Sequence, residues 1–382
     1  MEQMCHNIAF SLEHVAKEHQ NQTAIVVPHI NQSITFAGLN KESSCIASGL
    51  NQYGLKKGDR VLLFVPFSIK FISIAFALFK AGTVPVLIDP GLARKNILKC
   101  VEEVKPQGII ATPLAITISK IFSRYFHSIR YKVTTGSRWF WGAKTLKDIQ
   151  SMAEPNPTYV DITPNDPAAI LFTSGSTGSP KGVLYTHGMF SYQLKSLRSC
   201  YGIKLGEIDL PTFPLFALFG VGTGMTSIIP EMDFTRPAKV DPEKIIRIIA
   251  KYNITSGFGS PALWDTVSQY CLLHKCRLPS INRIIMAGAP IPGSLLKKFD
   301  QIIEPESKIH TAYGATESLP VTTIERDEIL KDTYENTQQG CGICVGRVVP
   351  NILLKIIKIN DDPILEWQDS LELMHGEIGE TV

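Results

Sequence analysis

Ile170-Leu171-Phe172-Thr173-Ser174-Gly175-Ser176-Thr177-Gly178-Ser179-Pro180-Lys181-Gly182-Val183 is the stretch from which the rest of this chain is read. Three apolar residues run into a loop of hydroxyl and glycine residues, which carries one lysine and turns apolar again. The layout predicts strand, anion-holding loop, strand. Glycines let backbone N–H groups turn toward a phosphate. The hydroxyls of Ser174, Ser176 and Thr177 add donors, and Lys181 supplies a point charge. A Walker A loop requires Gly-Lys-Ser/Thr at its end. Here Lys181 lies between Pro180 and Gly182, so that reading fails. A plain surface turn is the bland alternative, since Ser, Gly and Pro are turn residues. So long a polar run between two apolar strands is more than a turn requires.

On both sides of this stretch, strand and helix patterns alternate. Residues 61–65 and 83–88 read as buried strands around a helix over about 68–79, a βαβ unit. Pro66, Lys70, Lys80 and Gly82 interrupt the run and exclude a membrane-spanning helix there. Upstream, the pattern predicts a helix over 8–18, a hairpin over 24–28 and 33–36, and a helix over 37–53 stopped by Gly54. Downstream come a helix over 97–104 and a strand over 107–111. After the central loop, helices are predicted over 188–201, 241–252 and 292–299, and strands over 168–172, 208–212, 256–259, 281–287, 309–313 and 351–357. The alternation argues for an α/β fold with parallel, helix-flanked sheets. Three divisions are expected: a first αβ subdomain over 1–167, a second over 168–335 with the phosphate loop, and a partial β-barrel subdomain over 336–382.

The chain's 382 residues exceed a usual single core, in keeping with two or three lobes. Its net charge of +3 and scattered basic residues give no support for nucleic-acid binding. Eight cysteines without a secretory leader predict reduced thiols in a cytoplasmic protein. Residues 113–132 form a basic, amphipathic segment; a core-packed helix with a solvated face is expected, with a membrane-surface helix as the alternative. The cluster Trp139-Phe140-Trp141 is read as covering the sheet or lining an apolar entrance.

In open α/β sheets, ligands bind beyond the carboxyl ends of the strands. Three strand ends here run into glycine-rich turns: Thr173–Gly178, Gly288-Ala289-Pro290 and Tyr313-Gly314-Ala315-Thr316-Glu317. The first suits phosphates. The second offers bare backbone for a flat heterocycle. The third offers a ring to stack (Tyr313), a hydroxyl (Thr316) and a carboxylate (Glu317) able to hold Mg²⁺ against phosphate oxygens. A solvated charge or helix-start carboxylate is the plain alternative for Glu317.

Thr173–Gly182, with the following Val183, resembles the signature of adenylate-forming enzymes: acyl-CoA synthetases, luciferases and adenylation domains. The Tyr313–Glu317 stretch is similar to that family's aromatic-Gly-x-Thr-Glu motif, and Gly288-Ala289-Pro290 to its adenine-side turn. Gly376-Glu377-Ile378-Gly379-Glu380 resembles the strand motif near the end of the large domain. The resemblance covers nearly the whole chain. It implies two helix-flanked, mostly parallel sheets plus the beginning of a small β-barrel, ATP and Mg²⁺ as cofactors, adenine contact by Tyr313, and metal or phosphate contact by Thr316 and Glu317. Thr173, Thr316 and Glu317 form the expected catalytic set. The expected nucleotide set adds Ser174, Gly175, Ser176, Thr177, Gly178, Lys181, Gly288, Ala289, Pro290, Tyr313, Gly314 and Ala315, and Glu317 is the expected metal ligand.

A narrower resemblance lies in residues 79–91, Phe140-Trp141-Gly142, residues 185–190 and residues 210–220. These are similar to the β-lactone synthetases of bacterial olefin biosynthesis. That similarity implies ATP-dependent activation of a 3-hydroxy fatty acid, whose own hydroxyl then displaces AMP to give a β-lactone. It also implies thiolase-like, reductase and decarboxylase partner enzymes. Many relatives carry a histidine where this chain has Ala217, a residue associated with the acid and thiol tunnel, so its loss weakens the case for acyl-CoA ligation. An internal hydroxyl replaces a bimolecular step by an intramolecular one. Phe213, Phe216, Phe219 and Phe258 are candidates to line an alkyl pocket, each equally readable as ordinary core. Ala217 and Gly259 complete the expected substrate set.

The pattern stops inside an apparent strand at Val382, before the family's small carboxy-terminal domain and its lysine. The expectation is a truncated chain of impaired turnover, with a non-catalytic nucleotide- or acyl-binding remnant as the alternative of another class. Cys341/Cys344 and Cys271/His274/Cys276 have zinc-ligand types but sit in turn and helix patterns, so zinc is not expected. His187 reads as a structural histidine at a helix start, with a general base as the alternative. The chain has no Gly-x-Ser-x-Gly elbow to support a serine hydrolase.

Overall fold

The structure, a computed structural model, describes residues 7–138, 142–155, 160–173, 180–360 and 364–382. The loop residues Ser174–Ser179, the Trp139–Trp141 cluster and the Asp361–Pro363 turn lie outside the described residues.

Two large sheets organise the chain. One has seven strands in the spatial order Lys144–Thr145, Tyr131–Thr134, Gly108–Ala111, Arg60–Phe64, Val84–Ile88, Pro167–Thr173, Lys181–Thr186. All its pairings are parallel except the last, in which the two strands flanking the glycine-rich loop run antiparallel as a hairpin. The other has nine strands in the order Arg347–Val348, Ser318–Glu325, Lys308–Ala315, Arg283–Met286, Ser256–Gly259, Ile208–Pro211, Thr226–Ile228, Thr23–Val27, Gln32–Thr35. Its central pairings are parallel and both ends are antiparallel.

The sheets do not follow the expected boundary at 167/168. The early hairpin Thr23–Val27/Gln32–Thr35 joins the nine-stranded sheet beside Thr226–Ile228. The hairpin around the central loop joins the seven-stranded sheet beside Val84–Ile88. Each strand pairs where its two apolar faces are covered, whatever its place in the chain.

The helices begin where local chemistry allows. Thr35, Ser68 and Thr186 each accept a hydrogen bond from an N–H of the first turn, opening the helices Phe36–Tyr53, Ile69–Lys80 and His187–Tyr201. The first of these stops at Gly54 in the left-handed conformation. Within the strands, neighbouring residues face different layers. Val61 and Leu63 enter a core that also holds Phe36, Phe76, Phe79, Phe190 and Phe219, whereas Leu62 packs with Val86, Ile109 and Phe172 on the opposite face. In the nine-stranded sheet, Ile285 belongs to the shared core, and Ile284 and Met286 pack around Trp264 and Phe299.

Three expectations change. The 113–132 segment is a short helix, Pro113–Ile121, followed by turns and a strand; Ile116 is buried, but Ile118 and Ile121 face outward. Residues 351–357 give only the short strand Ile356–Ile357, which pairs antiparallel with Glu380–Thr381. Thr316 and Glu317 do not end a lone strand: they are the two-residue tip of a hairpin between Lys308–Ala315 and Ser318–Glu325. Among the described residues, no helix is long and apolar enough to cross a membrane.

Three buried titratable groups make stability depend on pH. Burial lowers His187 and His310 to about 4, and raises Asp209 to about 7. The histidines' folded values lie below their ordinary 6.5, so their contribution is present above 6.5 and lost as pH falls toward 4. Asp209 runs the other way and gains as pH falls below 7. Two losses against one gain leave a net excess of protons on the unfolded chain that grows from a fraction of a proton at pH 6.5 toward about one at pH 5. Urea unfolding at pH 6.5 and pH 5 should therefore show a loss of about 1 kcal/mol. Equal stability at the two values would contradict the burial of these rings.

Candidate functional site

A cleft of about 400 Å³ opens between the hairpin tip and the nine-stranded sheet's carboxyl edge. Gly288, Gly314, Ala315 and Thr316 form part of its wall, together with Phe213, Phe216, Phe219 and Phe258. Two of the three glycine-rich turns singled out in the sequence thus meet the aromatic cluster. Each turn follows the carboxyl end of a strand: Arg283–Met286 leads to Gly288, and Lys308–Ala315 ends the next strand over.

The turns depend on missing side chains. Gly288 has φ +91° with open space around its Cα, so a flat ligand can lie against the bare backbone there. At Gly314, a Cβ would lie 2.3 Å from the carbonyl oxygen of Ser318, so only glycine permits the strand to cross that close to its partner. Ala289 and Pro290 continue the turn but are not part of the cleft wall. Tyr313 is half-exposed, and its hydroxyl lies 3.3 Å from Thr381 Oγ1, outside the cleft. Glu317 is exposed at the tip and has no ion-pair partner among the described residues.

The aromatic wall is continuous. Phe216 stacks on Phe258 with ring centroids 3.4 Å apart and planes 9° from parallel. Phe219 meets Phe216 and Phe190 edge to face, each at 5.9 Å, and Phe190 stacks on Tyr185 at 4.9 Å. Phe213 stands at the mouth, 44% exposed. Two expected wall residues lie elsewhere. Ala217 is fully buried on the inner side of the helix Pro214–Gly222, and Gly259 faces Trp264, whose Nε1 a Cβ would approach to 2.7 Å. One residue's advance along a helix turns the side chain about 100°, which separates Phe216 from Ala217.

A second cavity of about 590 Å³ lies at the carboxyl ends of the seven-stranded sheet, lined by Leu63, Val65, Phe71, Ile88 and Phe172 among others. Leu171, Phe213, Leu215 and Phe234 border both cavities.

The strand before the glycine-rich loop ends at Thr173, whose main chain pairs with Lys181. Lys181 is exposed at the start of the returning strand. Ser174, Gly175, Ser176, Thr177 and Gly178 lie outside the described residues. That returning strand also brings residues the sequence reading passed over: Tyr185 and, from the following helix, Gln193, both on the cleft wall with Thr212 and Ser260. Tyr185 donates to the main-chain carbonyl of Thr316, and Gln193 donates to that of Leu319 at 3.1 Å. No sequence-local signal marks these pairs, which are more than 120 residues apart.

His187 is fully buried with its ring edge toward Phe79, and burial holds it near 4, so it is neutral at pH 7 and remote from any general-base role in the cleft. Among the described residues, no group of three or more His, Cys, Asp or Glu side chains could hold a metal. Mg²⁺ takes one or two carboxylates, its remaining ligands being water and phosphate oxygens, and Glu317 with the hydroxyl of Thr316 offers hard oxygen donors of that kind.

Comparison with known proteins follows the same lines. The AMP-binding enzyme family matches residues 12–380. The chain is 39% identical over 385 residues to an olefin beta-lactone synthetase of Stenotrophomonas maltophilia, covering 98% of this chain and 69% of that protein. It is 40% identical over 384 residues to the olefin beta-lactone synthetase of Xanthomonas campestris pv. campestris, covering 98% and 68%. The fold is similar to the inhibitor-bound crystal structure of the N-terminal domain of FACL13 from Mycobacterium tuberculosis, with a TM-score of 0.75, 21% identity, and 94% and 85% of the two chains covered.

Proposed function

The chain belongs to the AMP-binding enzyme family, and from that membership we propose that it activates a 3-hydroxy fatty acid with ATP and closes the product to a β-lactone. The coarser activity, an ATP-dependent, AMP-forming ligase acting on an acid, follows from the family and from relatives at 39% and 40% identity. The observation that carries the finer reading is the cleft, whose wall divides between the polar turns at Gly288 and Thr316 and the Phe216/Phe258 stack.

An acid with an alkyl tail fits that division. The phenylalanine wall takes the tail out of water, worth about 0.8 kcal/mol for each buried methylene. The carboxylate then lies toward the Gly314–Thr316 turn. Its oxygen attacks the α-phosphorus of ATP and pyrophosphate leaves. Next the C3 hydroxyl oxygen attacks the acyl carbonyl, AMP leaves, and the hydroxyl proton passes to solvent or to the departing phosphate. The apolar wall excludes water that would hydrolyse the activated acid. It also holds the tail so that the hydroxyl stays beside the carbonyl. Glu317 and Thr316 would hold Mg²⁺, which supplies positive charge to the phosphate oxygens. Tyr313 is assigned to the adenine ring, Lys181 and the loop from Thr173 to Gly178 to the phosphates, and Ala289 and Pro290 to the adenine-side turn, on the resemblance of these motifs to the family's. The same resemblance implies thiolase-like, reductase and decarboxylase partners of olefin formation, and the free cysteines among the described residues support a cytoplasmic chain.

The test omits coenzyme A. The protein is incubated with Mg²⁺, ATP and a 3-hydroxy fatty acid, pyrophosphate is followed, and the product is weighed by mass spectrometry. The expected product is lighter than the acid by one water. A product formed only when coenzyme A is added would replace this reading by acyl-CoA ligation.

A further inference from the structure

The described strand and helix that follow the glycine-rich loop are tied by side chains to the hairpin that carries Thr316 and Glu317. Tyr185, in the strand Lys181–Thr186, donates its hydroxyl to the carbonyl of Thr316. Gln193, in the helix His187–Tyr201, donates from Nε2 to the carbonyl of Leu319 at 3.1 Å. One residue earlier, Tyr192 donates to the carbonyl of Pro350. The first two ties bracket Glu317, and the third holds the segment that follows the next strand. All three acceptors are backbone carbonyls, so the ties fix main-chain position, whatever side chain stands there.

We propose that Tyr185, assisted by Gln193, is a positioning residue that holds the Thr316–Glu317 turn against the strand leaving the glycine-rich loop. The functional half of this inference, that it sets Glu317 for a magnesium-nucleotide, rests on the acid-activation reading above.

Three features make Tyr185 suited to this work. Its ring is 5% exposed and stacked on Phe190, so the hydroxyl is carried on an immobile platform. Beside it, Gln193 Oε1 is buried and has no hydrogen-bond partner among the described residues. Its Nε2 is committed to the Leu319 carbonyl, so Tyr185 and Gln193 grip the hairpin on the two sides of Glu317. At the tip itself Glu317 is exposed, and Gly314 just before it carries no side chain.

Two measurements on Tyr185→Phe decide the proposal, and the variant keeps the ring and its stack. Hydrogen exchange of the ligand-free protein is expected to speed up about tenfold at the amides of Glu317 and Ser318, as loss of one hydrogen bond to the turn implies. Unchanged exchange there overturns the clamp, whatever the activity. In the pyrophosphate assay, the Mg²⁺ concentration for half-maximal rate is expected to rise about fivefold to tenfold, with the KM for the acid unchanged. A merely structural tyrosine would lower the thermal midpoint and leave the Mg²⁺ dependence where it was, and that outcome also overturns the functional half. Gln193→Met, which keeps the length of the side chain, should shift both readouts in the same direction by a smaller factor. A native chain that releases no pyrophosphate would count against acid activation, and the exchange measurement would still decide whether Tyr185 holds the turn.

Discussion

Replacing Glu317 by glutamine is expected to slow acid-dependent pyrophosphate release by about 10²–10³-fold and to leave folding stability unchanged. The two halves of that expectation come from different observations. Glu317 is exposed at a two-residue hairpin tip and has no ion-pair partner among the described residues, so the fold does not lean on its charge. Surface substitutions away from packing and caps ordinarily change stability by less than about 0.5 kcal/mol. On the proposed reading, its place next to Thr316, which lines the cleft, is where negative charge would build up as a carboxylate attacks a phosphate. Glutamine keeps the shape and removes the charge, so a hard cation loses its anionic ligand. Steady-state rates across a Mg²⁺ series, with thermal unfolding of both proteins as the control, test the claim. A variant within a factor of three of the parent would remove Glu317 from the metal site.

The largest stability effect is expected at Arg283, far from the chemistry. Its guanidinium donates to the carbonyl of Tyr201 at 2.6 Å and to that of Gly202 at 3.1 Å, and it forms a two-point pair with Glu207 at 2.5 and 3.1 Å. Across the sheet, Arg283 lies in register with Ser256, and Ser256 with Asp209, so a cation and a buried carboxyl share one row of three strands. Asp209 is 4% exposed; burial pushes it up to about 7, and Arg283 pulls it back. Arg283→Leu would leave two carbonyls without donors and two acidic groups without their cation. Breaking one side of such a buried pair costs about 3–5 kcal/mol. Asp209's folded value lies above its ordinary 3.8, so its contribution is present at low pH and lost as pH rises through the folded value. Without Arg283 that value rises further, and the deficit of the variant should widen between pH 6 and pH 8. Urea unfolding of the two proteins at both pH values checks size and trend. A deficit under about 1 kcal/mol at both would mean that Arg283 behaves as a surface pair.

The chemistry-bearing turns were legible because their rules are local. A strand running into Gly288, or into Gly314 and Thr316, can be read within a few residues, and these turns line one cleft. The helices were legible for the same reason, since Thr35, Ser68 and Thr186 cap them through N–H groups three residues away. Ala217 shows the limit. Sequence comparison places it with Phe216, yet the helix turns it fully inward while Phe216 faces the cleft. The strand Ser318–Glu325 was not anticipated, because its alternation is weak and Pro320 interrupts the pattern. Yet it is this strand that makes Thr316 and Glu317 a hairpin tip.

By itself, then, the sequence determined the strand–loop–strand unit around the glycine-rich stretch, the α/β alternation and the family. Each of these is written in short-range spacing of apolar residues, glycines and hydroxyls, whose effects reach a turn or two along the backbone. Only the tertiary structure decided that the hairpin around the loop belongs to the seven-stranded sheet and the early hairpin to the nine-stranded one. It alone brought Tyr185 to the carbonyl of Thr316 across 131 residues. The physical reason is that sheet membership is set by which faces must be covered and which backbone groups must be paired, conditions satisfied between distant segments only once the whole chain has condensed.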